Sequence, residues 1–126
     1  MILGIGTDIA KIARFSDNLE KFAQKHLSQR EQAEISARKE NLQLAVAKRF
    51  SAKEACAKAL GTGFRDGLFL KNIEILHREN GSPYAVFSAK AQEILNEISG
   101  GASTNIFISI SDDGEYAQTF AVIEKL

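Results

Sequence analysis

Glu54 and Lys58 stand four residues apart in a segment with helical periodicity, in the order that favours an ion pair on one helix face. Taken alone, such a pair is an ordinary feature of exposed helices and contributes little. Asp8, just behind Gly4 and Gly6, reads equally well as a turn or cap residue. Together the two carboxylates have a second use. Magnesium takes one or two carboxylates and completes its shell with water and phosphate oxygens. Only a fold can bring Asp8 beside Glu54.

Three further groups are chemically capable. Gly61-Thr62-Gly63 could bring backbone amides close to a phosphate. Gly61 also has a competing role as a helix terminator, and a helix C-terminus repels anions. A phosphate bound there would need cations such as Arg49 and Lys58 to outweigh the dipole. Arg49 and Lys53 project between Leu42, Val46, Cys56 and Ala57, on a stripe that should be core. Charges so placed need partners or an interface, because burying an unpaired charge is costly. His26 and His77 have no serine, cysteine or acid at triad spacing. Cys56, between Ala55 and Ala57, reads as a buried inert thiol. Nucleophilic catalysis by the chain itself is not expected.

The elements that must position these groups follow from periodicity. Ile2 to Thr7 reads as a strand with Gly4, Gly6 and Asp8 on one face, so that the glycines leave open space where Asp8 ends it. Phe15, Leu19, Phe22 and Ala23 recur at helical spacing, with Ser16 as a cap. Ser28 and Glu31 form a capping box for a short helix to about Ala37. Leu42 to Leu60 is the longest helix, capped by Asn41 and ended by Gly61. Phe69 to His77 and Tyr84 to Phe87 read as strands joined through Asn80-Gly81. Ala89 to Ile98 reads as a helix closed by Gly100-Gly101. Ile106, Ile108 and Ile110 alternate with polar or outward residues as a half-buried strand, and Asp113-Gly114 turns the chain into a last strand, Tyr116 to Ile123. The fold class is α+β: an antiparallel sheet packed on one long helix with shorter helices.

The 126 residues set one domain, 1–126. At 44% hydrophobic and 25% charged, the chain is neither globally disordered nor collagen-like. No apolar run reaches a membrane-spanning length, and no secretory signal is expected. A single cysteine excludes an internal disulfide and zinc sites built on paired cysteines. The expected location is the cytoplasm. Net charge is zero, which argues against broad nucleic-acid binding. The split is uneven: residues 1–63 carry 11 Lys/Arg against 7 Asp/Glu, and residues 64–126 carry 5 against 9. A basic half can steer an acidic partner.

Gly4-Ile5-Gly6-Thr7-Asp8-Ile9, followed after a long interval by Phe50-Ser51-Ala52-Lys53-Glu54-Ala55-Cys56-Ala57-Lys58, resembles the signature of the 4′-phosphopantetheinyl transferases, and the whole chain looks like their short, single-domain branch. Arg14-Phe15, Leu27-Ser28 with Glu31, Arg49, Ala59 to Gly63, Asn80 to Tyr84, Ser109-Ile110-Ser111 and Tyr116-Ala117 extend the resemblance over nearly the full length. It implies transfer of the phosphopantetheine arm from coenzyme A to a serine of acyl carrier protein, leaving adenosine 3′,5′-bisphosphate, in support of fatty acid biosynthesis. Asp8 and Glu54 then match the family's magnesium ligands, and Lys58 the lysine near the phosphates. Arg49 with Gly61, Thr62 and Gly63 matches the nucleotide side. Arg14 matches a basic residue that meets the carrier's acidic recognition helix. The resemblance also implies a homotrimer with the active site between subunits, which would account for charges set in an apolar helix. Many relatives carry histidine where this chain has Asp112, so binding of the 3′-phosphate is the point of departure.

The general base stays open between Glu54 and a water near the metal. Two other functions use the same residues. Hydrolysis of a nucleotide pyrophosphate would consume coenzyme A without any carrier protein. A coenzyme A-binding or carrier-docking module without transfer would have no use for Asp8, Glu54 and Lys58 together.

Overall fold

The computed structural model describes residues 1–126. In chain order it contains β1 (Ile2–Lys11), a 3-10 turn (Ile12–Arg14), α1 (Leu19–His26), α2 (Gln29–Ala37) and α3 (Leu42–Leu60). A second 3-10 turn (Leu70–Asn72), β2 (Ile73–His77), β3 (Pro83–Phe87), α4 (Ala89–Ser99), β4 (Thr104–Asp112) and β5 (Tyr116–Lys125) follow. The class is α+β, as expected, but the strands form two antiparallel sheets: β1-β5-β4, with β1 and β4 at the edges, and the β2-β3 hairpin. No helix is long and apolar enough to cross a membrane.

α3 lies between two apolar clusters. Its C-terminal half, Ala52 to Leu60, packs with Ile73, Ile75, Phe87, Ile94, Leu95, Ala121 and Ile123. Its N-terminal half, Ala45 to Ala47, packs with Ile12, Phe15, Leu27, Ile35 and Ala117. The ends follow local chemistry. Asn41 Oδ1 accepts from the Leu44 N–H at 3.0 Å, and Gly61 takes the left-handed conformation (φ +86°) that ends the helix. The Ser28–Glu31 capping box forms with both bonds present, at 3.0 and 3.1 Å.

Three boundaries depart from the sequence pattern. β1 runs to Lys11 and not Thr7, because Thr7 to Lys11 pair with Phe120 to Tyr116 of β5; Asp8 therefore lies inside an edge strand opposite Thr119. α1 starts at Leu19 after Asn18 in the left-handed conformation (φ 52°), without a side-chain cap, so Ser16 does not cap it. β2 begins at Ile73, since Leu70–Asn72 forms the 3-10 turn, with the Phe69 N–H held by Asn72 Oδ1 at 3.0 Å. The hairpin turn, α4 and the alternation of half-buried Ile106, Ile108 and Ile110 follow the pattern closely.

Candidate active site

The site begins with two glycines. The space that Gly4 and Gly6 leave on the inner face of β1 is not open: α3 fills it. A Cβ on Gly4 would stand 1.9 Å from the Ala59 carbonyl oxygen, and one on Gly6 would stand 1.9 Å from that of Ala55. Both are impossible contacts, so only glycine lets the helix backbone settle on the strand. That approach brings the next inward residue of β1, Asp8, against the same helix. Ser51 Oγ donates to the Asp8 carbonyl at 3.4 Å and accepts from Thr119 Oγ1 at 3.0 Å. Lys58 Nζ donates to the Thr7 carbonyl at 2.9 Å and lies 3.6 Å from Asp8 Oδ1.

Glu54 is half-buried one turn before Lys58. Burial pushes its carboxyl above the usual range and the Asp8 carboxylate pushes it further, while Lys58 and Arg14 pull the other way. Four charged groups from β1, its following turn and α3 thus share one neighbourhood. An open hollow of about 420 Å³ adjoins it, lined by Thr7, Asp8, Ile9, Lys58 and Gln118. The chain has no group of three or more His, Cys, Asp or Glu able to hold an ion. Asp8 and Glu54 therefore offer hard carboxylate oxygens but no closed cage, the donor set that suits magnesium with water and phosphate.

The other proposed site residues fare differently. Arg49 is buried, and its guanidinium donates to Glu34 Oε2 at 2.7 Å, Glu40 Oε2 at 2.9 Å and the Ala45 carbonyl at 3.3 Å. Its terminal N–H groups are thus bonded inside the chain, with only Nε unpartnered. Lys53 is equally enclosed, donating to Glu31 Oε1 at 2.7 Å and to the carbonyls of Leu70 at 2.9 Å and Ile73 at 2.6 Å. Burial lowers its pKa and Glu31 opposes the shift. The two charges on the apolar stripe are thus paired within the chain, Arg49 by Glu34 of α2 and by Glu40 beyond it, and Lys53 by Glu31 of α2 and by carbonyls of the second 3-10 turn and β2.

The Gly61-Thr62-Gly63 loop does not aim its amides outward. The N–H of Gly61 bonds the Lys58 carbonyl at 2.9 Å, and those of Thr62 and Gly63 bond the Ala57 carbonyl at 3.3 and 3.2 Å. These bonds close the helix C-terminus, so the loop is no amide cradle. The buried Thr62 hydroxyl has no hydrogen-bond partner. Asp112, at the end of β4, forms an ion pair with Lys48 at 3.0 Å and accepts from the Gly114 N–H at 3.2 Å. Cys56 is buried and its thiol is pushed up to about 12 by desolvation, which makes it inert. His77 Nδ1 is bonded to Glu34 at 2.9 Å. His26 lines the largest hollow, about 520 Å³, between the end of α1 and residues 64–72. Burial first, then Lys25, Lys53 and Lys71, lower its pKa. Sequence reasoning missed this hollow, because its lining segments are far apart in the chain and no local signal joins Lys25 and His26 to Arg65 and Lys71.

A glycine-spaced edge strand locked onto a lysine-and-glutamate helix defines a class. Residues 4–121 match the family model of the 4′-phosphopantetheinyl transferase superfamily, and the chain belongs to that family. Its full-length relatives narrow the branch. The chain is 40% identical over 131 aligned positions to the holo-[acyl-carrier-protein] synthase of Phenylobacterium zucineum, covering all of this chain and 94% of the relative. Among solved structures, that of holo-[acyl-carrier-protein] synthase from Neisseria meningitidis superposes with a TM-score of 0.83 at 36% identity, covering 99% of this chain and 100% of that one. A Bacillus anthracis holo-(acyl-carrier-protein) synthase in complex with CoA (3′,5′-ADP) gives 0.80 at 31% identity, covering 100% and 99%.

Proposed function

We propose that this chain transfers the 4′-phosphopantetheine group from coenzyme A to a serine of apo acyl carrier protein and releases adenosine 3′,5′-bisphosphate. The observation that carries the reading is the assembly of Asp8, Glu54 and Lys58 at one open edge of the fold, in a chain matched end to end by holo-[acyl-carrier-protein] synthases. The nucleophile comes from the partner, which agrees with a chain whose only thiol is sealed and whose histidines stand apart from the carboxylates.

Asp8 and Glu54 would hold magnesium, which supplies charge neutralisation and orientation at the coenzyme A pyrophosphate. Burial first, and then the Asp8 carboxylate, raise the Glu54 carboxyl, and a cation between the two carboxylates offsets both. Lys58, tethered by the Thr7 carbonyl, holds its ammonium at the same edge, where negative charge develops on the departing phosphate as the pyrophosphate P–O bond breaks. The serine oxygen bonds to the phosphorus next to pantetheine, the bond to the bridging oxygen breaks, and Glu54 or a water beside it takes the serine proton. Gly61 and Gly63 shape the start of the nucleotide side and Thr62 contributes its unpartnered hydroxyl there. Arg14 is exposed and meets the acidic recognition helix of the carrier.

The active unit in this reading is a homotrimer. The outer face of the β1-β5-β4 sheet aligns Ile5, Val122 and Phe107 in one row and Phe120 in the next, with Ile5 72% and Phe120 54% exposed. Apolar surface of this kind favours cover by another copy, and a copy seated there would reach the β1 edge that carries Asp8. Sedimentation equilibrium should then give about three times the 13.8 kDa chain mass. We assign the reaction to the cytoplasm, in support of fatty acid biosynthesis.

The test is mass spectrometry of apo carrier protein incubated with coenzyme A, with and without magnesium. Transfer adds one phosphopantetheinyl group to the serine in magnesium and none in its absence. Loss of coenzyme A in the absence of carrier protein would instead indicate pyrophosphate hydrolysis.

A further inference from the structure

Arg14 has an environment that its exposure alone does not suggest. No ion pair of the chain involves it. Its guanidinium carbon lies 4.9 Å from the centre of the Phe15 ring and 5.2 Å from that of Phe50. The rings are themselves fixed. Phe15 and Phe50 stand 5.3 Å apart at 58°, and Phe22 packs edge-on to Phe15 at 5.7 Å and 6.1 Å from Phe50. Phe15 is a chain neighbour of Arg14 and would accompany it anywhere. Phe50 is on α3, one turn before Glu54, and belongs to the same catalytic helix.

We propose that Phe50 is a positioning residue that holds the Arg14 guanidinium over its ring face, in fixed relation to the catalytic helix, so that an acidic carrier protein meets a preset cation. This rests on the reading of Arg14 as the carrier-docking group. A cation over an aromatic face is bound through the ring and consumes none of its N–H donors, so all remain for the carboxylates of the partner. A free arginine loses rotamer freedom when it docks; one already stacked has less to lose, and the gain appears in the affinity for the carrier. An intrachain carboxylate would hold Arg14 as firmly but would occupy the donors that docking needs.

The experiment measures KM for apo carrier protein, KM for coenzyme A and kcat for Arg14→Ala, Phe50→Leu, the double variant, Phe50→Tyr and Arg14→Lys. Phe50→Leu keeps an apolar side chain in the cluster. It should raise KM for the carrier about threefold, the scale of an exposed cation–π contact, with kcat and KM for coenzyme A unchanged. Phe50→Tyr, which restores the ring face, should return KM to the wild-type value. In the Arg14→Ala background, Phe50→Leu should have no further effect. Arg14→Lys leaves the aromatic cluster intact and reports even where Phe50→Leu does not fold; it should raise KM for the carrier despite its equal charge. If Arg14→Ala leaves KM for the carrier unchanged, the docking reading fails and the inference with it. If Arg14→Ala raises it while Phe50→Leu does not, or if the Phe50→Leu effect persists in full without Arg14, docking stands and the positioning role is overturned. Arg14→Lys matching the wild type would overturn it as well.

Discussion

On the α2 side of α3, Lys53 is fully enclosed, its ammonium bonded to Glu31 and to two backbone carbonyls. One residue on, Glu54 faces the β1 edge, where its carboxyl is governed by partial burial and by the charges of Asp8, Lys58 and Arg14. The same helix thus carries a sealed ionic region and an open one. In the sealed region every charge has a partner: Glu31 also accepts from the Ile75 N–H at 3.1 Å, and Glu34 serves Arg49 and His77 together. These bonds tie α2, α3 and β2 into one body. In the open region like charges face each other, a state that a bound cation relieves. Buried charge here organises the fold, and half-buried charge is left available for chemistry.

The contrast breaks most sharply in activity. Asp8→Ala and Glu54→Ala should each lower kcat by more than about a thousandfold, comparable to or beyond the loss of a main electrostatic contact in a transition state. Their unfolding midpoints without magnesium should stay near the wild type. Magnesium should raise the midpoint of the wild type by mass action and leave those of both variants unmoved. Either variant turning over like the wild type would dissolve the distinction between the two regions.

Lys53→Met tests the other side. It leaves the Glu31 carboxylate buried without its cation, and unfolding in urea should show a loss of about 3–5 kcal/mol. A loss under about 1 kcal/mol, the scale of an exposed pair, would mean that the sealed network is not structural. Gly6→Ala joins the regions. Its Cβ collides with the Ala55 carbonyl, so it should cost about 1–3 kcal/mol of stability and also reduce transfer, because Asp8 moves away from Glu54.

The effect of pH separates the regions by sign. Burial works to raise the Glu34 carboxyl, but bonds from the His77 side chain and backbone and from Arg49 outweigh it and hold it below the usual range. The bond from Arg30 holds Glu74 low as well, against burial. Stability from both is present above the ordinary carboxylate pKa and is lost as pH falls through their lowered values. Glu54 behaves oppositely. Its raised pKa adds a cost that is absent in acid and grows as pH rises through the ordinary carboxylate value toward the raised one. Glu54→Gln should therefore be slightly more stable than the wild type at neutral pH, with the difference vanishing in acid. Thermal melts across the pH range measure it.

The smallest expected effect is that of the histidines. His77 serves Glu34 and His26 lines a separate hollow, so His26→Gln with His77→Gln should keep kcat and the shape of its pH profile at saturating substrates. A fall of more than about a hundredfold, the lower end of what a general acid or base contributes, would place a histidine in the open region.

Local signals determined much of this molecule. The Ser28–Glu31 box, the Asn41 and Gly61 ends of α3, the Asn80-Gly81 turn and the alternation in β4 depend on residues a few positions apart, whose geometry the backbone enforces wherever the segment lies. The paired signature around Asp8 and Glu54 likewise marks the family in the sequence alone. Tertiary structure alone decided what each charge does. Arg49 and Lys53 share the apolar stripe with nothing in their own turn to neutralise them; their partners come from α2, from Glu40 just beyond it, from β2 and from the turn before β2, through contacts across 9 to 22 residues of chain. Asp8 reaches Lys58 because two absent Cβ atoms let a helix rest on a strand. Electrostatic energy depends on distance and burial, and neither is set until the chain has folded back on itself.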